Sequence, residues 1–339
     1  MARDLPVDAL VLPGQDPGPA RTVSRPRIPP RASDAPVTRH HEGSTVRRQA
    51  ATGIAVLVLG VAAVLTACTA EPEPTGEVVV TGEPGVAPLL EYETPFVISE
   101  PRVEVVWEGA GPPVQEGEPI LVDFYAEAGQ DASVVGETYS SEPKAYLLSA
   151  EALGVDIFTA LQGQTVGSRI LNLVPPVDGP GPATIAVFDI LPTRAQGEAV
   201  EPREGLPVVE LGADGEPSIS VPDTAPPTDL VVQPLIRGSG RQVAAGQVIT
   251  VQFTGVSWSD GSTFDTSWGD GKLPAPFPIG VASVIEGWDV GLVEQTVGSQ
   301  VLLVIPPRLG FGGTDNELAD ETLVFVVDIL AASGGPTVG

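Results

Sequence analysis

The residues of this 339-residue chain that could do chemistry are carboxylates and aromatic side chains. Its two histidines, His40 and His41, and its single cysteine, Cys68, all lie in or before an apolar leader. Removal of that leader would exclude the usual Ser-His-Asp and Cys-His forms of catalysis, and zinc sites built from His and Cys. Carboxylate chemistry would survive, but the acid-rich segment 313–321 lacks the spacing of a calcium loop. We therefore expect no metal and no cofactor.

The leader is typical of a secretory signal. Residues 50–68 read AATGIAVLVLGVAAVLTAC and follow Arg47 and Arg48. The apolar stretch is short for a membrane span, which needs about 20 residues. Its end, LTAC, resembles a bacterial lipobox, which implies that Cys68 is lipidated and tethers an extracytoplasmic protein to the cell membrane. An uncleaved anchor helix is the alternative.

The other terminal segments have no hydrophobic period. Residues 1–45 are rich in proline and arginine, so they are either disordered or belong to an incorrectly assigned start. We expect the signal to occupy 46–68, a flexible stalk 69–88 and a tail 333–339.

Composition favours a β-rich, turn-rich protein with proline-rich linkers. The chain contains 39 Gly and 36 Pro, and only 5% of its residues are aromatic. The formal net charge is −27. Phosphate binding needs a basic face, and none is visible, so nucleic acid is not expected as a partner.

Segments of the chain recur in the same order. LQGQTVGSRILNLVPP at 161–176 matches LVEQTVGSQVLLVIPP at 292–307, and GEPILVDF at 117–124 matches GQVITVQF at 246–253. The period is far longer than that of a repeat array, which predicts a domain duplication. We place copy 1 at 89–192, copy 2 at 206–332 and a linker at 193–205.

Both copies are dominated by strands. Segments 249–256, 299–307 and 321–330 have strand patterns, whereas only 284–294 could form a helix, and a short one. The predicted fold class is α+β, with a twisted antiparallel sheet wrapped over one short helix in each copy.

Copy 2 resembles the FKBP-type peptidyl-prolyl cis-trans isomerases over nearly all of residues 234–330. The motifs that carry the resemblance stand in order along the chain: VQFTG at 251–255, DGSTFDTS at 260–267, FPIG at 277–280, VIEGW at 284–288, VG at 297–298, IPP at 305–307, GFG at 310–312 and TLVF at 322–325. The resemblance implies isomerisation of X–Pro bonds in polypeptide substrates. It also implies an apolar, proline-binding pocket whose floor is Trp288, presented by the glycine-broken helix.

The resemblance assigns the surrounding pocket positions as well. They are Phe253, Phe264, Asp265, Val284, Ile285, Phe311 and Phe325, with Leu318 and Phe277 contributing to substrate binding. Taken alone, Trp288 and Phe264 could be ordinary core aromatics, and Asp265 could cap a turn.

The chain departs from the family at three pocket positions. Phe253 and Phe311 stand where tyrosine is usual, and Ala275 stands where an aromatic residue is usual. Trp268, a few residues earlier, could cover the gap at Ala275. Two interpretations stay open: an isomerase acting on exported proteins at the cell envelope, or a non-catalytic proline-peptide binding or scaffold lipoprotein.

Copy 1 departs much further. The repeat offsets place Tyr139 at the position of Phe264, Ser140 at that of Asp265, Gly154 at that of Ile285 and Ile157 at that of Trp288. Without these side chains, copy 1 is not expected to form a proline pocket. We predict that it serves as a non-catalytic partner, for dimerisation or for holding substrate.

Overall fold

The computed structural model describes residues 76–176 and 181–335. The predicted signal, its Cys68 and the N-terminal 45 residues lie outside the described residues. Within the described ranges, no helix is both long and apolar enough to cross a membrane. The fold is of the α+β class, with several antiparallel sheets and few, short helices.

Copy 1 consists of a two-stranded hairpin and a six-stranded antiparallel sheet. Its elements are β1 (Val79–Thr81), β2 (Leu89–Glu91), β3 (Arg102–Trp107), β4 (Pro119–Ala128), β5 (Ser133–Glu137), β6 (Lys144–Leu147), α1 (Ala150–Leu153), α2 (Val155–Leu161), β7 (Arg169–Val174) and β8 (Thr184–Leu191). The sheet order is β3-β7-β8-β4-β5, and β6 pairs with β4. The prediction of one helix in this copy was wrong, because Gly154, at φ 78°, separates two short helices.

Copy 2 repeats this plan in a seven-stranded antiparallel sheet. Its elements are β9 (Gly197–Ala199), β10 (Val208–Leu211), β11 (Pro217–Ser220), β12 (Val231–Gly238), β13 (Gln247–Ser257), β14 (Thr263–Thr266), β15 (Ala275–Pro278), α3 (Glu286–Gly291), β16 (Gln300–Ile305), a 3₁₀ turn (Pro307–Leu309) and β17 (Leu323–Gly334). The sheet order is β14-β13-β17-β16-β12-β9, and β15 pairs with β13.

Both large sheets bury apolar side chains on both of their faces. Along β17, Phe325 and Val327 join the core on the side of α3, whereas Val324 and Val326 join a second core on the opposite face. The hairpin β10–β11 packs against that second core, and β1–β2 packs against the corresponding core of copy 1. The candidate site belongs to the core on the α3 side.

Two segments that were expected to be connectors are part of the fold. Strand β1 and the buried Val78 lie within 76–88, the part of the predicted stalk that the structure describes. The predicted linker supplies β9, which pairs with β12, and the N–H of Ala195, which donates to an Asp328 carboxylate oxygen at 2.7 Å. Sequence patterns missed both strands because three residues are too few to show a period.

Hydrogen bonds define which residues of the two copies correspond. The Phe124 N–H donates to Thr138 Oγ1 at 2.9 Å, and the Phe253 N–H donates to Ser267 Oγ at 2.8 Å. The offset therefore stays at 129 through this hairpin, since 253 − 124 and 267 − 138 both equal 129. Phe264 corresponds to Val135, which is 59% exposed, and the assignment to Tyr139 was wrong.

Candidate active site

Helix α3 packs directly against the sheet because two of its six residues are glycines. A Cβ added at Gly287 would lie 2.5 Å from the side chain of Ile305, and one at Gly291 would lie 2.8 Å from that of Leu303. Real Cβ atoms essentially never approach other atoms so closely. The two glycines lower the helix propensity of α3, but they allow its backbone to approach the side chains of the sheet. This close approach holds Trp288 against the sheet.

Three phenylalanines surround Trp288 edge-on. The ring centroids of Phe253, Phe277 and Phe325 lie 5.4, 5.2 and 5.4 Å from the indole, at interplanar angles of 86°, 71° and 82°. Edge-to-face packing of this kind is favourable because the positive ring edge meets the negative ring face. We call this group, together with Val284, Ile285 and Phe311 of the same buried core, the aromatic cup.

The rim of the cup is formed by side chains that stay half-buried. Phe264 packs edge-on against Phe325, with centroids 5.4 Å apart, and Leu318 packs against the same core. A Cβ at Gly255 would lie 2.7 Å from both the Phe264 and the Phe325 rings, so the rim requires glycine there. Sequence reasoning named Phe264 and Leu318 but not Gly255, although the VQFTG motif contains it.

The cup is closed over its floor. Trp288 is 0% exposed, and its Nε1 has no hydrogen-bond partner. The sequence led us to expect an open cavity above the indole, and the structure differs at this point. Solvent does not reach the indole, so a prolyl ring can contact Trp288 only if surrounding side chains move.

Asp265 lies beside the rim. It is 7% exposed and stands opposite Gly255 in the β13–β14 ladder, directly after Phe264. Neither Phe253 nor Phe311 carries a hydroxyl group, so those two walls of the cup offer no hydrogen-bond donor. What those walls offer is shape and apolar contact.

Trp268 lies elsewhere. It is not part of the aromatic cup, and it lines a cavity of about 430 Å³ together with Arg194, Asp214 and Lys272. Ala275 packs against the core that contains the cup, and Trp268 is not among the side chains of that core, so Trp268 does not take the place of an aromatic residue at Ala275. The loop after β14 is rich in glycine and has no hydrophobic period, so the direction of the Trp268 side chain could not have been predicted from the sequence.

The most strongly perturbed acid of copy 2 faces away from the cup. Burial raises the pKa of Asp328 to about 6, against the opposing effect of hydrogen bonds from the Ala195 N–H and from the Gln300 amide at 2.8 Å. In copy 1 the matching pair is Arg169 and Asp189, which form a buried salt bridge. Neither pair contacts the cup.

Metal chemistry has no evident support in the part of the chain that the structure describes. No group of three or more His, Cys, Asp or Glu side chains there is arranged to hold a metal ion. The arrangement favours chemistry that needs an apolar surface and no acid or base.

Comparison with known proteins gives a consistent result for the region that holds the cup. The sequence profile of the FKBP-type peptidyl-prolyl cis-trans isomerases matches residues 239–330. An FK506-binding protein of Streptomyces anulatus is 38% identical over 120 residues, which cover 34% of this chain and 96% of that protein. A probable FK506-binding protein of Corynebacterium glutamicum is 34% identical over 119 residues, which cover 34% of this chain and 98% of that protein.

A solved structure of FkpA from Escherichia coli is 29% identical, covers 40% of this chain and 54% of that chain, and superposes with a TM-score of 0.29. The similarity that carries weight is that of the sequence relatives, together with the family profile over residues 239–330.

Proposed function

The chain belongs to the FKBP-type peptidyl-prolyl cis-trans isomerase family, and on that premise we propose that the aromatic cup of copy 2 binds and isomerises X–Pro segments of exported proteins. The observation that carries this proposal is the set of three phenylalanine edges around Trp288. An indole surrounded by aromatic rings offers the apolar surface that suits a prolyl ring once the cup opens.

The chemistry asks for desolvation and positioning. Rotation about the X–Pro bond meets a barrier of about 18–20 kcal/mol, because resonance holds the amide planar. The planar amide is more polar than the twisted one, so an apolar cup disfavours the ground state more than the transition state. A prolyl ring held against Trp288 leaves the preceding carbonyl to rotate, which adds a contribution from orientation. No histidine or thiol takes part.

Substrate entry needs motion of the rim. Phe264 and Leu318 are the half-buried side chains at the edge of a cup whose floor is fully buried. Leu318 lies in the loop between the 3₁₀ turn and β17, where its N–H donates to the Asn316 side chain at 2.8 Å and the Thr314 hydroxyl donates to the Phe311 carbonyl at 2.7 Å. We assign residues 311–319 of this loop as the element that moves, because local turns hold them, whereas Glu321, nearer β17, accepts hydrogen bonds from the N–H and the hydroxyl group of Ser259.

The place of action follows from the N-terminal segment. Removal of the residues before Cys68, followed by lipidation of Cys68, would tether the folded region at the cell membrane on its extracytoplasmic side. Recovery of mature protein with an acyl chain on Cys68 supports this part of the proposal, and a mature chain that still contains residues 46–67 contradicts it.

A protease-coupled assay with a prolyl peptide tests the cup directly. The protein starting at residue 69 should accelerate isomerisation, and Trp288→Leu should abolish the acceleration while circular dichroism shows that the protein is folded. Trp258→Leu is the matched control, because Trp258 is also a buried tryptophan but belongs to the core on the opposite face of the sheet. Equal activity in both variants, or no acceleration by micromolar wild-type protein, would rule out the cup as the site.

A further inference from the structure

The segment 280–285 joins β15 to α3 in a conformation that needs support. It supplies Val284 and Ile285 to the cup, and both are almost fully buried. Gly280 has φ 73° and Ala282 has φ 61°. Residues with a Cβ rarely adopt this left-handed region, so the turn at Ala282 is not held by its own backbone preference.

A single carboxylate provides the support. The Gly280 N–H donates to Asp289 Oδ1 at 2.7 Å, and the Ala282 N–H donates to Asp289 Oδ2 at 2.6 Å. Bonds from an amide to an ionised carboxylate are short and strong. Asp289 follows Trp288 in α3, so these two bonds tie the wall of the cup to the helix turn that presents its floor.

Copy 1 shows what the same segment does without such a carboxylate. The Leu148 N–H donates to the Glu118 carbonyl at 2.9 Å, as the Ile279 N–H does to the Gln247 carbonyl at 2.9 Å. Leu148 therefore corresponds to Ile279 at an offset of 131, and Asp289 corresponds to Phe158. In copy 1 the segment forms helix α1, whose first turn Ser149 caps through the Ala152 N–H.

The corresponding segments of the two copies have equal length but different conformations. The segment of copy 1 is helical, whereas that of copy 2 is non-helical and contains a left-handed turn. We propose that Asp289 is a positioning residue that selects the non-helical conformation of 280–285 and so places Val284 and Ile285 against Trp288. This inference rests on the proposed function of the cup. Asp289 acts through the loop and not on the substrate.

The test compares graded substitutions at Asp289 with a nearby control. Asp289→Asn retains one acceptor oxygen, whereas Asp289→Ala retains none. We expect kcat/KM for the prolyl peptide to fall by about tenfold or more in Asp289→Ala and by less in Asp289→Asn. Glu286→Ala should leave it unchanged, because Glu286 is an exposed carboxylate of the same helix.

A second substitution separates positioning from general stability. If Asp289 holds Ala282 in the left-handed region, Ala282→Gly should restore part of the activity of Asp289→Asn, since glycine adopts that region without steric penalty. Backbone chemical shifts of Asp289→Ala should also turn helical over residues 281–284. This second readout does not require activity, so it remains informative if the wild-type protein fails to accelerate isomerisation.

Three results would overturn the inference. The first is a folded Asp289→Ala protein with wild-type kcat/KM. The second is an Asp289→Asn protein whose lost activity does not respond to Ala282→Gly. The third is a set of chemical shifts for 281–284 that stays non-helical in the variant. If Asp289→Ala does not fold, the Asp289→Asn measurements decide the question.

Discussion

The indole of Trp288 meets the ring of Phe277 edge-on, with centroids 5.2 Å apart and planes at 71°. Phe277 comes from β15, and Trp288 comes from α3. The contact therefore joins the edge of the sheet to the helix at the centre of the cup. Mutations that change how closely α3 approaches the sheet should change both stability and the shape of the cup.

Gly287→Ala tests that approach. The new methyl group would lie 2.5 Å from Ile305, so overpacking should reduce the free energy of unfolding by about 1–3 kcal/mol. Ile305→Ala should relieve the clash, and the double variant should therefore lose less stability than the sum of the two single variants. Urea unfolding measures all three. Strict additivity would show that the helix does not depend on this contact.

Phe311→Tyr tests the departure from the family at the cup wall. Phe311 is nearly buried at a position where tyrosine is usual in the family, and a hydroxyl group there would offer a hydrogen bond to a substrate carbonyl. A restored hydrogen bond contributes about 0.5–1.5 kcal/mol, which corresponds to a roughly two- to tenfold gain in affinity for a prolyl peptide. Isothermal titration measures it. Unchanged affinity would place the substrate carbonyl away from position 311.

Asp328→Asn tests the buried acid behind the sheet. The folded-state pKa of Asp328, about 6, lies above its ordinary value of 3.8, so the folded protein holds the proton more tightly than the unfolded chain does. The resulting stabilisation is complete below about pH 4 and is lost as the pH rises through about 6. At pH 7.5 the neutral variant should therefore exceed wild type in unfolding free energy by about 1–3 kcal/mol.

Unfolding in urea at pH 7.5 and pH 4.5 measures that difference, which should shrink at the lower pH. An exposed acid offers a control, because Asp315→Asn should have little effect at either pH. A difference between Asp328→Asn and wild type that grows as the pH falls would contradict the assignment.

Much of this arrangement follows from sequence, and the exceptions have physical causes. Phe253 and Phe325 lie on strands whose alternation fixes the face they occupy, so their place in the core was predictable. Trp268 follows a strand and precedes a glycine-rich loop, where no period fixes the direction of a side chain. The complete burial of the Trp288 indole depends on how tightly the side chains of the rim pack, and the sequence pattern does not reveal packing density.

The linker and the copy 1 hairpin show the same limit. β9 is held by backbone bonds to β12 and by the carboxylate of Asp328, which lies far away in sequence. Such contacts leave no local signal in the linker sequence, TRAQGEAVEPREG. The incorrect match of Tyr139 to Phe264 arose for a related reason, since only the hydrogen bonds of Thr138 and Ser267 reveal the register.

Arg169→Gln tests whether the Gln–Asp hydrogen bond of copy 2 can replace the Arg169–Asp189 salt bridge of copy 1. Arg169 is 0% exposed, forms two bonds of 2.6 Å to Asp189 and donates to the Val86 carbonyl at 2.8 Å. Removal of one partner from a buried ion pair costs about 3–5 kcal/mol, and Arg169→Met should lose that much. Arg169→Gln should lose less, because Gln300 in copy 2 donates to Asp328 in the same way. Thermal unfolding measures both variants. Equal losses of stability in Arg169→Met and Arg169→Gln would show that the positive charge itself is required.

Isomerisation in the aromatic cup requires that the cup opens and takes a prolyl ring onto the face of Trp288. Intermolecular nuclear Overhauser effects between a bound X–Pro peptide and the protein test it most directly. We predict contacts from the proline ring protons to the indole of Trp288 and to the ring of Phe253. Proline contacts confined to Trp268 and its cavity, with none to Trp288, would contradict the account.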